Sequence, residues 1–264
     1  ADLNDINMID PFHLEAYGET TVNYNRDVEI FPVLCATFER IYGESPYKSP
    51  TDMGVNMAGF CISDDEACRE ASRQEIIRRY YRRRFLLGAC TENEVYKIEM
   101  LMNQTGITVH DRHVVDAALK RAEETGAPAS ALELPDGRIV TGKTSDLLGA
   151  SAALLLNALK ELAGIDHERK VISPEAIEPI QRLKVNYLGS KNPRLHTDEI
   201  LIALSVSAAT DPTAQEVLKQ LPKLKGCQAH TSVMVSNVDS RMFKKLSIQA
   251  TYEAKFEKNP VFAK

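Results

Sequence analysis

The chain has 264 residues, of which 44% are hydrophobic and 26% charged, and its 32 Lys and Arg against 37 Asp and Glu give a formal net charge of −5. That negative balance argues against a nucleic-acid-binding protein. The longest apolar runs, such as that at residues 152–156, are far shorter than the roughly 20 residues that cross a membrane. We therefore expect neither nucleic acid nor membrane as a partner.

Residues 1–108 are predicted to form a mostly helical subdomain, with helical periodicity over residues 27–42, 64–87 and 92–103. Seven arginines lie between Arg69 and Arg84, interleaved with two tyrosines, a pattern that also occurs on surfaces that bind RNA or phosphates. We favour a solvated helix here, because acidic residues at its start and arginines toward its end both complement the helix macrodipole.

Residues 109–264 are predicted to form an α/β domain, a three-layer α/β/α unit with a mixed sheet. Signals for a helix start, either a capping residue or a proline in the first turn, occur at residues 111, 145, 174, 197 and 212. The helix that starts near residue 145 is apolar nearly all round, which is typical of a helix buried against a sheet. Strands are predicted at residues 170–172, 227–236 and 246–256.

Residues 137–144 fit the phosphate-loop pattern Gly-x-x-x-x-Gly-Lys-[Ser/Thr] letter for letter. In a true phosphate loop the four middle residues are loop. Here Ile139 and Val140 are adjacent β-branched residues that follow the turn signal Pro135-Asp136-Gly137. We therefore predict a hairpin, with Gly137 in its turn and strands over residues 131–134 and 138–141.

The five cysteines are an odd number without a Cys-x-x-Cys pair, which favours reduced thiols in a cytoplasmic protein. We predict no disulfide and no metal. His110 and His113 could suggest a metal site, but no convincing third ligand follows them in the sequence.

Lys143 lies in a loop that leads into the long helix, where free N–H groups attract anions. The alternative is a structural one, in which Thr144 or Ser145 caps the helix and Lys143 is solvated. The sequence alone leaves both interpretations open.

A second polar loop carries Lys191, Arg194 and His196 just before another helix start. Cations at that end oppose the helix dipole, so we expect an anion-binding edge. A carboxylate from Asp198 or Glu199 could neutralise part of this charge, and a purely structural turn is the alternative.

A third cluster of polar side chains lies in the helical part, and it is expected to line a cleft and to contribute His13, Asn25, Arg26 and Asp52. Arg26 or His13 is expected to complete the anion-binding edge. No pattern assigns a catalytic residue.

Four segments, residues 1–18 (ADLNDINMIDPFHLEAYG), 49–56 (SPTDMGVN), 134–150 and 188–198, resemble the C-terminal half of a bacterial family called domain of unknown function 1846, also uncharacterised protein family 0371. The resemblance implies a cytidine-deaminase-like fold for the α/β/α domain and an N-terminal phosphate-loop domain outside this chain. ATP would then bind in that absent domain, and no cofactor is expected in this chain. Zinc deaminases carry His-x-Glu and Pro-Cys-x-x-Cys, and this sequence has no Pro-Cys-x-x-Cys, so we do not expect zinc chemistry.

The leading hypothesis is the C-terminal part of a cytosolic, nucleotide-dependent enzyme that acts on a small anionic substrate. Its partner would be its own N-terminal domain. The alternative is a non-catalytic module that binds a ligand or assembles the protein into a homo-oligomer. The sequence identifies neither the reaction nor the substrate.

Overall fold

The computed structural model describes residues 25–45, 65–85 and 92–256, and the chain divides into two compact units, residues 1–112 and 113–264. The sequence placed the boundary at residue 108. Over the described residues, no helix is both long enough and apolar enough to cross a membrane.

The first unit contains helices close to the three predicted ones, namely α1 (Asn25–Tyr42), α2 (Asp65–Phe85) and α3 (Glu92–Thr105). Helix α2 packs against α3. Helix α2 is less exposed than the solvated helix predicted from its arginines, because Glu75 and Arg78 are both buried. Nε of Arg78 lies 3.1 Å from Oε2 of Glu75. Arg79 joins the same carboxylate at 2.8 Å through its own Nε. Part of the arginine cluster therefore serves the fold of this unit.

The second unit is an α/β fold. Its elements are, in chain order, α4 (His113–Thr125), β1 (Ala129–Glu133), β2 (Ile139–Lys143), α5 (Ala150–Leu162), α6 (Pro174–Arg182), α7 (Thr197–Ser207), α8 (Pro212–Leu218), β3 (Gln228–Thr231), α9 (Asn237–Lys245) and β4 (Gln249–Tyr252).

The four strands form one mixed sheet in the order β2-β1-β3-β4, which confirms the predicted mixed sheet. Strand β1 is antiparallel to both β2 and β3, whereas β3 and β4 are parallel. Neighbouring side chains on a strand point to opposite faces. Ala131 accordingly packs with Val114 and Ala118 of α4, and Leu132 joins the larger core that contains Leu154 of α5. Helices therefore cover both faces of the sheet.

The hairpin between β1 and β2 confirms that residues 137–144 are not a phosphate loop. Gly137 lies in the turn with φ of +82°, and Gly142 lies within β2, paired with Ser130. A Cβ atom at Gly142 would lie 2.2 Å from the backbone nitrogen of Leu154. The glycine is therefore required where β2 crosses closely under α5, and not for contact with a phosphate.

Other details differ from the predictions. Helix α5 begins at Ala150 rather than near residue 145, because the Ser145 hydroxyl accepts the N–H groups of Leu147 and Leu148 in a separate turn. Residues 170–172 are not a strand, and β3 and β4 are shorter than predicted. The helix starts at Pro174, Thr197 and Pro212 are confirmed.

Candidate functional site

A pocket of about 200 Å³ lies in the second unit, where the loops that follow β2 and β3 approach the loop before α7. The N-terminal ends of α5, α7 and α9 all contribute to its wall. Its polar lining includes four hydroxyl groups, a guanidinium group, an imidazole and a carboxylate; these belong to Thr144, Ser151, Thr231, Ser236, Arg194, His196 and Asp239. We call it the anion pocket below, after the class of ligand that we propose for it.

The carboxylate of Asp239 is the centre of the hydrogen-bond network in the anion pocket. Its Oδ1 accepts the backbone N–H and the hydroxyl of Thr197, both at 2.9 Å. Its Oδ2 accepts the Ser236 hydroxyl at 2.8 Å and lies 3.1 Å from Nδ1 of His196. Burial acts to raise the pKa of Asp239, but hydrogen bonds from His196, Thr197 and Ser236 outweigh it, and the pKa lies below its usual value. Asp239 is therefore ionised near neutral pH.

His196 lines the same pocket, with about a quarter of its side chain exposed. Its hydrogen bond to Asp239 raises the pKa of His196 above the ordinary value, against burial and the charge of Lys184, which both act to lower it. Because an ionised carboxylate accepts from Nδ1, we assign the proton of the neutral ring to Nδ1. Nε2 has no hydrogen-bond partner among the described residues, so it is the ring atom available to a ligand.

The positive N-terminal end of the α7 dipole is already compensated by carboxylates of the protein. Glu199 accepts the backbone N–H of His196 at 2.7 Å and the ammonium group of Lys184 at 2.8 Å, both through Oε2. Asp198 accepts the N–H of Glu199 at 2.8 Å. The helix-dipole reason for expecting an anion at this particular helix start is therefore met by carboxylates of the chain itself.

The N-terminus of α5 is different, because nothing in the described residues caps it. Its N-cap residue is Gly149, which has no side chain to accept an N–H, and its first turn contains no acidic residue. The next two residues, Ala150 and Ser151, are buried at 6% and 4% exposure and line the anion pocket. A buried helix end leaves unsatisfied N–H donors unless a partner approaches. Within the described part of the chain, this helix start is therefore the part of the pocket without a negative partner.

The structure brings together only part of the predicted site. Arg194 and His196 both line the anion pocket, whereas Lys191 is exposed in the same loop and lies outside the pocket lining. Lys143 is the last residue of β2 and lines a separate depression with Arg138 and Asn157.

The predicted residues of the helical part are not tested by this geometry. His13 and Asp52 lie outside the described residues. Asn25 and Arg26 are the first two residues of α1, in the first unit, and their side chains are not described.

Sequence reasoning missed Asp239 and Ser236, although a signal for them was present. Ser236 is the N-cap of α9 and accepts the N–H of Asp239 at 3.1 Å, which follows from a serine three residues before an acidic residue. The strand predicted over residues 227–236 obscured that cap. Strand β3 ends at Thr231, which leaves residues 232–236 as a loop at the pocket.

The chain matches two family models along its length. Residues 110–262 match "Domain of unknown function DUF1846, C-terminal", and residues 1–106 match "Domain of unknown function DUF1846, N-terminal". The expectation that the chain corresponds only to the C-terminal half of the family is therefore wrong, because its first 106 residues match the N-terminal model.

Curated relatives support the same assignment. A UPF0371 protein of Streptococcus thermophilus (strain CNRZ 1066) is 57% identical over 266 residues, which cover 100% of this chain and 54% of the relative. A UPF0371 protein of Streptococcus pyogenes serotype M1 is 55% identical with the same coverage. The chain thus spans about half the length of the curated relatives it matches, and their names assign no activity. Since the C-terminal model alone covers more than half of the sequence, the chain belongs to the bacterial DUF1846 family.

Proposed function

We propose that the anion pocket binds the negatively charged group of a small substrate and that His196 transfers a proton during the reaction. The observation that carries the proposal is the buried, uncapped N-terminus of α5, which lines the same pocket as Arg194 and the His196–Asp239 pair. Hydrogen-bond donors and a proton-transfer group in one pocket are the two elements of an acid–base catalytic site.

The binding half of the proposal rests on the free N–H groups at the start of α5. A helix of 13 residues carries a partial positive charge at this end, and its N–H groups point at whatever occupies the pocket. Arg194 adds a guanidinium group, which suits the oxygens of a carboxylate or a phosphate. A volume of about 200 Å³ is below the roughly 300–1,000 Å³ of typical ligand pockets, which favours a small substrate.

The catalytic half rests on the hydrogen bond between His196 and Asp239. With Nδ1 donating to the carboxylate, Nε2 is left to accept a proton from a water molecule or a substrate hydroxyl. Ser236 is not the nucleophile of a Ser-His-Asp triad, because its hydroxyl donates to Asp239 and lies 3.4 Å from Nδ1 of the histidine. A triad serine would lie on the Nε2 side.

A deaminase-like layer arrangement is part of the proposal. It is supported by the mixed sheet, with its β1–β2 hairpin, and by a pocket at the starts of α5 and α9. Zinc deaminases hold their metal with histidine and cysteine at such helix starts. Gly149 and Ser236 occupy these N-cap positions here, and the described residues contain no group of three side chains suited to a metal. The residues present therefore do not fit a zinc site.

Dependence on a nucleotide is proposed for the longer protein and is not assigned to this chain. The support is indirect, namely that the curated relatives are about twice as long and that residues 137–144 form a hairpin. Titration of this chain with Mg-ATP in a calorimeter is expected to give no micromolar binding. Micromolar binding would contradict the assignment of nucleotide binding to another domain.

The test of the anion pocket uses inorganic phosphate as the probe. We expect phosphate to shift the NMR signals of the His196 ring, which His196→Gln identifies among the six histidines. Arg194→Gln removes a charge-assisted contact of about 1.5–3 kcal/mol, so phosphate affinity is expected to fall about 10- to 100-fold. The matched control is Arg182→Gln, because the Arg182 side chain is 59% exposed and pairs with Glu178 outside the anion pocket. Equal affinity of both variants would contradict the proposed site.

A second candidate function is assembly of the chain into a homo-oligomer. It is supported by exposed large apolar side chains in the second unit, among them the adjacent Tyr187 and Leu188 at 76% and 72%. Sedimentation equilibrium distinguishes the candidates. A dimer that Tyr187→Ser with Leu188→Ser disrupts, combined with no phosphate effect on His196, would favour the assembly role.

A further inference from the structure

A second cavity, of about 330 Å³, lies in the second unit between α5, α6 and the loop of residues 165–172. It shares no lining residue with the anion pocket. Apolar side chains from α5, α6, α7 and two loops form about half of its lining, among them Leu147, Leu156, Val171, Ile172, Ile177 and Ile200. Its volume is within the range of small-molecule sites, about 300–1,000 Å³.

Lys160 of α5 also lines this cavity, although lysine is rarely buried without a charged partner. The residue is 6% exposed. Its ammonium group donates to the backbone carbonyl of His167 and forms no ion pair with a carboxylate in the part of the chain that the structure describes. An ammonium group has three donors, so two are left without an acceptor among the described residues.

The electrostatics agree with an incompletely compensated charge. Burial lowers the pKa of Lys160, and the charges of Asp166 and Glu168 only partly oppose that effect. Burying a charged amine is costly unless an opposite charge and hydrogen-bond acceptors come with it. The cavity, which is large enough for a small molecule, lies directly beside this amine.

We propose that this cavity binds a small monocarboxylate with a short apolar chain, whose carboxylate accepts hydrogen bonds from Lys160. One buried ammonium group balances one negative charge, which suits a carboxylate better than a doubly charged phosphate. The aliphatic walls suit a hydrocarbon chain. Four other charged residues line the cavity, namely Glu168, Arg169, Lys170 and Glu178. Arg169 is engaged with the hydroxyl of Thr213 at 2.8 Å, and Glu178 pairs with Arg182.

The test uses sodium octanoate as the probe and 1-octanol as its neutral counterpart, with binding measured by calorimetry at pH 7. Hydrogen bonds to a charged group contribute enough that octanoate is expected to bind at least about tenfold more tightly than octanol. The site is located with Leu147→Trp, because the chain has no tryptophan and Leu147 is half-exposed at the cavity. We expect octanoate to change the emission of that single tryptophan.

The decisive variant is Lys160→Met, which retains the apolar stem and removes the ammonium group. Octanoate affinity is expected to fall about tenfold or more while octanol affinity stays unchanged. The matched control is Lys219→Met, an exposed lysine outside the cavity.

Octanoate and octanol binding equally to the wild-type chain would overturn the proposal, and this comparison holds even if Lys160→Met fails to fold. Binding that leaves the tryptophan emission of the Leu147→Trp variant unchanged would also overturn it. So would unaltered octanoate affinity in a folded Lys160→Met protein.

Discussion

The hydrogen bonds of Asp239 predict that removing its side chain destabilises the fold more than removing its charge alone. Asp239 is 8% exposed, and Thr197, which donates to it twice, is fully buried. Asp239→Ala leaves these two donors without an acceptor, at about 1–3 kcal/mol each for buried groups. We therefore expect the free energy of unfolding to fall by about 3 kcal/mol.

Asp239→Asn is the matched variant, because the amide has the same shape and its oxygen can still accept both bonds from Thr197. The lost partners are then the Ser236 hydroxyl and His196, both part-buried, so we expect a smaller loss of about 1 kcal/mol. Urea unfolding followed by circular dichroism, with similar m-values for all three proteins, measures the difference. Equal losses in the two variants, or a loss below about 1 kcal/mol in Asp239→Ala, would refute the account of this network.

The same pair predicts a pH dependence with a definite sign. The pKa of His196 is raised in the folded chain. The stability that its hydrogen bond to Asp239 contributes is therefore fully present below the pKa of the unfolded state, near 6.5, and is lost as the pH rises through the pKa of the folded state. The stability advantage of the wild-type chain over His196→Gln should therefore shrink from pH 6 to pH 9. In Asp239→Asn the pKa of His196, measured by NMR, should fall. An advantage that grows with pH would show that the histidine is not held by a carboxylate.

Three further outcomes are expected from single changes. Gly142→Ala should lower the free energy of unfolding, measured in urea, by about 3 kcal/mol, because its Cβ would overlap the backbone of Leu154. A loss near zero would contradict the close approach of β2 and α5. At pH 8, iodoacetamide should alkylate Cys227 far more slowly in the folded than in the unfolded chain, because burial raises the pKa of its thiol to about 11. Equal alkylation rates, measured by peptide mapping, would contradict the burial of this thiol. Lys184→Met should lower the free energy of unfolding by about 2 kcal/mol, because it leaves the carboxylate of Glu199 with one fewer partner. Lys219→Met, which removes an exposed pair, should change it by less than about 0.5 kcal/mol. Similar effects of the two changes would show that the buried pair contributes little to stability.

Local signals were sufficient for much of the fold. The turn at Gly137, the prolines at positions 174 and 212 and the helix start at Thr197 all depend on neighbouring residues, and the structure confirms each. The β-branched pair Ile139-Val140 was enough to reject a phosphate loop, because backbone in a strand cannot at the same time wrap a phosphate.

Errors arose where long-range packing decides. The loop of residues 170–172 has the composition of a strand, but the sheet has no position for it among the described strands, and Val171 and Ile172 are instead buried in the core beside α5. The start of α5 was misplaced because Ser145 caps a preceding turn. No local rule says which of two successive turns continues as a helix.

The candidate site was found only in part for a related reason. Arg194 and His196 are recognisable in the sequence as charged groups at a helix start, but their function depends on Asp239, which is 43 residues from His196 in sequence. The uncapped end of α5 is also invisible in the sequence, since a glycine before a helix is equally consistent with an ordinary loop. Only the fold shows that both features lie in one pocket.

The distances along the chain within this pocket have a consequence for how the second unit opens. Asp239 joins Thr197 across 42 residues, and Ser130 joins Thr231 across 101 residues at the adjoining strand ends. No short segment can therefore form the pocket by itself, and fraying of any one contributing segment disassembles it. A bound anion should then slow amide hydrogen exchange in β1, α5, α7 and α9 together, by an amount set by its concentration relative to its dissociation constant, rather than protect only the loop that it touches.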